Sequence, residues 1–186
     1  QDHPTLHQMT WNTTTDPDSA IQDWGAAYKE LCTLIQAKVP EIKHVDLYYG
    51  QENMVDGDGN WMPFRAPAVF LEFNTAQVDD LGGLSQQLTM DITVYLYMET
   101  VQDTNAGSAG QRRAMEFIGV LRKLHKALHG TKGEHFSGLG RTALRRVEAP
   151  PYVYMYAQTF QCVILDHGAV RQWPQEDTPP FVVELG

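Results

Sequence analysis

The chain has few of the residues from which common sites are built. Its 186 residues include only two cysteines, Cys32 and Cys162, both in apolar periodic segments and without CxxC spacing. Without that spacing the expected reading is two small buried hydrophobes, which fits a reducing compartment. No apolar run of about 18 residues is present, so no spanning helix is expected. No charged-then-apolar leader precedes the first polar stretch, and Gln1 stands where a start methionine would, so a processed or trimmed N-terminus is expected. GxxxxGK[ST], GxGxxG, GxSxG and HExxH are all missing, which leaves no phosphate loop, dinucleotide fold, nucleophile elbow or zincin helix to build on.

Positive charge is scarce overall and concentrated where it occurs. The net charge of −9 argues against non-specific nucleic-acid binding, and no sequence-specific nucleic-acid or membrane partner is expected. Residues 111–146 nevertheless carry nine bases (Arg112, Arg113, Arg122, Lys123, Lys126, Lys132, Arg141, Arg145, Arg146) against two acids, Glu116 and Glu134. An acidic protein with one basic third could join copies head to tail, positive surface on negative. A solvated basic helix, neutralised by contacts within its own domain, accounts for the same residues.

What the sequence has in abundance is alternation. In "LSQQLTMDITVYLYMET", Leu84, Leu88, Met90, Ile92, Val94, Leu96 and Met98 alternate with Ser85, Gln87, Thr89, Asp91, Thr93, Tyr95, Tyr97 and Glu99. This is the period of a strand with one face in a core. A strand over about 84–100 is roughly three times the usual length of about 5 to 6 residues. The expected reason is that half of it serves another chain, with the Tyr95 and Tyr97 face buried only on assembly.

Two helices flank that strand. Asp16-Pro17 offers an N-cap, and Ile21, Trp24, Tyr28, Leu31 and Ile35 repeat at helical spacing until Pro40, predicting a helix over about 17–38. Ala114, Phe117, Ile118, Leu121, Leu124 and Leu128 form the stripe of a second, about 111–129, stopped by Gly130, with Arg112, Arg122, Lys123 and Lys126 pointing away from the stripe. Short strands are expected at 43–50, 67–73 and 142–148, and a long one at 152–165, apolar on both faces and therefore interior. "NTAQVDDLGG" at 74–83 reads as a polar turn. The fold class is α+β, with one mixed, mainly antiparallel sheet packed by two amphipathic helices. A single domain over 16–168 is expected, with an arm at 1–15, where His3 and His7 read as inert, and a proline-rich arm at 169–186.

Candidate sites are sparse. "DGDGN" at 56–60 fails as a calcium loop because the twelfth position from Asp56 is Pro67, and turn chemistry explains it. Asp79-Asp80 reads as a solvated turn pair. His125 and His129, four apart on the second helix, could both face one metal, with His135 or His167 as a third ligand. His129 at a helix C-terminus is equally explained by the helix dipole. No catalytic residue, cofactor or metal is assigned.

The run from "DSAIQDWGAAYKELCTLI" through "PAVFLEF", "LTMDITVYLYMET" and "MEFIGVLRKLHKALHG" to "YAQTFQCVILD" resembles the tail terminator or tail completion proteins of long-tailed bacteriophages, over about residues 17–167. The resemblance lies in element order and pattern. It implies a non-enzymatic subunit forming a homo-oligomeric ring, hexameric in that family, between the tail tube protein and the head connector or adaptor proteins. Its place would be the virion tail or neck, after assembly in a bacterial host cytoplasm. Tyr95, Tyr97, Thr93, Arg112, Arg122, Lys123, Lys126, Trp61 and Phe64 are the expected interface residues. The Trp61 loop and the C-terminal arm are longer than a minimal member needs. A head–tail adaptor or another tail component fits the same pattern. From other classes, a metal-binding enzyme or module using His125 and His129, or a monomeric domain that binds peptides by strand addition, remains open.

Overall fold

The computed structural model describes residues 24–51, 64–99, 104–149, 153–167 and 169. The expected arms, the start of the first helix and the Trp61 loop lie outside them. Seven elements follow in order: α1 (Trp24–Lys38), β1 (His44–Leu47), β2 (Ala68–Gly82), β3 (Ser85–Glu99), α2 (Ala109–Leu128), β4 (Gly140–Arg146) and β5 (Val153–Asp166). The strands form one sheet in the order β1-β2-β3-β5-β4, with β1 parallel to β2 and every other pair antiparallel. The α+β class, the mixed sheet and the two helices are as the sequence implies.

The alternation in β3 places Leu88, Met90, Ile92, Val94 and Leu96 in a core shared with Leu31, Ile35 and Val39 from the α1 end and with Phe117, Val120, Leu124 and Leu128 of α2. Each large side chain buried this way contributes about 1.5–3 kcal/mol. β5 is interior, as its two apolar faces require, and Phe160, Cys162 and Ile164 join the same core. Burial, and then the carboxylate of Asp91, push the Cys162 thiol up to about 11, so it stays a protonated apolar residue. Cys32 is half-buried, and both thiols are free.

Helix ends follow local chemistry. The Ser108 hydroxyl accepts the Gln111 N–H at 3.2 Å and caps α2, and the chain leaves the helix through Gly130 at φ +78°. Ile118, expected in the apolar stripe, is exposed beside Met115; the buried stripe runs through Phe117, Val120, Leu124 and Leu128.

Two expectations are corrected. The stretch 74–83 is not a turn. β2 runs on to Gly82, paired with β3 as far as Gly82↔Ser85, and the turn is only Gly83-Leu84, with φ +63° and +66° as a two-residue hairpin loop needs. β3 therefore has its length for an internal reason. It is hydrogen-bonded to β2 on one side from Ser85 to Tyr97 and to β5 on the other from Gln86 to Glu99, which leaves neither half for another chain.

Candidate functional site

The opposite sheet face carries a second, smaller core. Ala68, Phe70, Tyr95, Tyr97, Met155 and Ala157 are buried in it, with Tyr48, Phe64, Ala66, Val147, Ala149 and Val153 closing over them. No described helix covers this face; the chain before β2 and the chain after β4 do so. Phe64 meets Phe70 edge-on at 5.1 Å and Tyr97 at 4.8 Å, while Tyr48 stacks on Tyr95 at 4.2 Å. The Tyr95 hydroxyl donates to Glu72 Oε2 at 2.5 Å. Burial, and then this bond to a carboxylate, drive its ionisation far above the ordinary tyrosine range.

Tyr95 and Tyr97 are thus not bare on the outer face, as the alternation suggested. They are 5% and 7% exposed and covered by their own chain. Alternation identifies which face a side chain takes and is silent on what else in the chain covers that face. Thr93, beside them, is buried too, its hydroxyl 3.2 Å from that of Thr159. Arg112, Arg122, Lys123 and Lys126 lie exposed on α2. Lys123 pairs with Glu41, a neutralising contact within the subunit. Trp61 lies outside the described residues.

The histidines are dispersed. His125 and His129 lie with ring centroids 4.9 Å apart and their planes tilted by 35°, but His129 Nδ1 accepts the Arg141 N–H at 3.1 Å. Desolvation, and then the charge of Arg141 and the neighbouring His129, hold His125 below the usual histidine range. His167 Nδ1 lies 2.9 Å from Ser85 Oγ, and His135 Nδ1 3.3 Å from Glu30 Oε2, so neither joins the pair. Among the described residues no group of three metal-ligating side chains exists.

What the sequence reading missed is the pair of sheet edges. β1 covers β2 only from Ala68 to Leu71. Beyond that, from Asn74 to Gly82, the outer edge of β2 has no strand partner among the described residues, and Val78, Leu81 and the turn residue Leu84 are about half exposed. At the opposite limit of the sheet, β4 is the last strand, and its residues from Thr142 to Arg146 are exposed. The first edge carries Asp79 and Asp80, and the second carries Arg141, Arg145 and Arg146. The signal was present in the charges, but without the strand order the two segments could not be recognised as the two limits of one sheet.

Gln158 fastens the basic edge to the body. It is fully buried, its Nε2 donates to Leu121 O at 3.0 Å, and its Oε1 accepts Arg141 Nη1 at 3.1 Å. A buried amide satisfied on both sides fixes β4 and α2 relative to each other. Among the described residues the arrangement is a sheet whose two outer edges carry opposite charge and have no further strand partner.

No protein-family model matches the chain, and no curated protein matches it. Among solved structures, a chain of the virion of a native gene transfer agent (GTA) particle matches with a TM-score of 0.47 at 13% sequence identity, covering 80% of this chain and 98% of that one.

Proposed function

We propose that this protein is a non-enzymatic structural subunit of a phage-like virion, assembling with copies of itself into a ring at the end of a tail tube, as a tail terminator or completion protein that joins tail to head. The observation that carries the reading is the outer half of β2. A strand edge with no partner among the described residues, ending in exposed Val78, Leu81 and Leu84, is a liability in a free monomer and a joint in an assembly. The sequence resemblance over residues 17–167 supports it independently. Partners on this reading are the tail tube protein and the head connector or adaptor, with no cofactor.

Native mass measured by light scattering behind size exclusion over a concentration series, with negative-stain imaging of large species, tests the proposal. A closed ring of fixed mass is expected at the upper concentrations. A monomer at every concentration, combined with saturable binding of an extended peptide that the β2 edge could pair, would replace the ring with a strand-adding peptide module.

A further inference from the structure

We infer that successive subunits join sheet edge to sheet edge, the acidic outer half of β2 in one copy against the basic edge of β4 in the next; the inference rests on the ring reading above and names its seam. A head-to-tail contact of two different surfaces is the kind that closes into a ring of any number of copies.

The occupant of each edge is argued from direction, face and charge. β2 and β4 run antiparallel within the sheet, because β2 opposes β3, β3 opposes β5 and β5 opposes β4. A ring that keeps strand direction from copy to copy therefore brings β4 and the next β2 together as an antiparallel pair. Pairing with β3 and β5 sets the faces. Asp79 stands opposite Gln87 and Arg145 opposite Ala157, which puts both on the face without a helix. Val78 stands opposite Leu88 and Leu144 opposite Gln158, which puts these, with Asp80 and Arg146, on the helix face. With Asp79 facing Arg145, Asp80 falls diagonal to Arg146 and half-exposed Val78 diagonal to half-exposed Leu144, all within reach across an antiparallel pair.

The other charges near these edges fit. Gln77 Nε2 and the Gly82 N–H hold the Asp79 and Asp80 carboxylates at 2.7 and 2.8 Å, and no described base pairs with either. The Arg141 N–H is taken by His129, so the open part of β4 lies beyond it, in the stretch that ends with Arg145 and Arg146. Across the sheet Arg145 stands level with Ala157, Tyr95 and Phe70, whereas Asp79 lies well beyond Phe70 along β2. The seam is staggered by roughly 25–30 Å at about 3.3 Å per residue, and the strands of a closed ring incline to its axis.

The test uses the full chain with two double variants, Asp79→Lys/Asp80→Lys and Arg145→Glu/Arg146→Glu, read by native mass and checked for folding by circular dichroism. Each alone is expected to lose the ring. An equimolar mixture, in which both kinds of mixed seam set a basic edge against an acidic one, is expected to recover rings with the two variants alternating, and all four changes in one chain to restore the ring. As a milder probe, Asp79→Cys mixed with Arg145→Cys should give a mixed disulfide, because directly opposed antiparallel residues lie within disulfide reach. Rings from both charge variants, or no mixed disulfide between the two cysteine variants while the wild type forms rings, overturn this seam and leave the ring standing. A wild-type chain that is monomeric throughout removes the ring, and the seam with it.

Discussion

Tyr97 and Tyr95 show what a residue's surroundings add to its pattern. Period two in "DITVYLYMET" assigns the tyrosines to the face opposite Val94 and Leu96, and the structure keeps them there. What covers that face comes from residues distant in sequence: Tyr48 before the long loop, Phe64 after it, and Val147 and Ala149 beyond β4. No local periodicity connects those segments, so the second core was not legible. The energetic consequence is direct. Replacing Tyr95 and Tyr97 together by Asp removes two aromatic side chains from a packed cluster and puts carboxylates in their place, with a cost of about 5 kcal/mol or more, a large part of a domain's stability. The expected result is a chain that is insoluble or lacks a cooperative thermal transition. A variant that melts like the wild type and has lost only its ability to assemble would return these rings to an interface.

At the scale of elements, α2 and the helical part of α1, the central strand and the interior strand could be read, because each has an apolar period long enough to outweigh local chemistry. β2 could not be read beyond Phe73. Asn74, Thr75, Gln77, Asp79 and Asp80 have turn composition, and they are extended because β3 offers a complete ladder to pair with, a tertiary choice overriding propensity. The hairpin end keeps a trace of that conflict. Leu84 sits at φ +66°, where a branched apolar residue is strained and asparagine or glycine is at ease, and its side chain is 55% exposed. Leu84→Asn is therefore expected to stabilise the isolated subunit by about 1 kcal/mol, raising the denaturant midpoint with little change in slope. The structure gives no internal reason for a leucine there. If the tip engages a partner, the same substitution weakens assembly while the monomer gains stability, and the two measurements together separate the roles.

For the whole molecule, the charge partition was legible as a number but not as a shape, and the joint between the helices and the sheet was not legible at all. Beside Gln158, Glu30 makes such a joint. From α1 it reaches the segment leading to β4, where its carboxylate accepts the Glu134 N–H at 2.9 and 3.1 Å and the His135 N–H at 3.2 Å, with the His135 ring at 3.3 Å. Gly133 allows the approach, since a Cβ there would collide with the Glu30 carboxylate and the Phe136 ring. Partial burial works against the charge, but the two backbone donors and the imidazole outweigh it and hold the carboxyl below its ordinary value of 4.5. A carboxyl whose folded value is depressed adds stability above its unfolded pKa and loses it as pH falls through the folded one. At neutral pH, Glu30→Gln should cost about 1 kcal/mol, the scale of one partly solvated, charge-assisted bond. The gap between wild type and variant should be constant from about pH 6 to 8 and close progressively below about pH 4.5, as measured by urea unfolding at each pH. A gap unchanged down to pH 3 would mean that the clasp acts through shape alone, and that the helical layer is tied to the basic edge of the sheet by packing rather than by this charge.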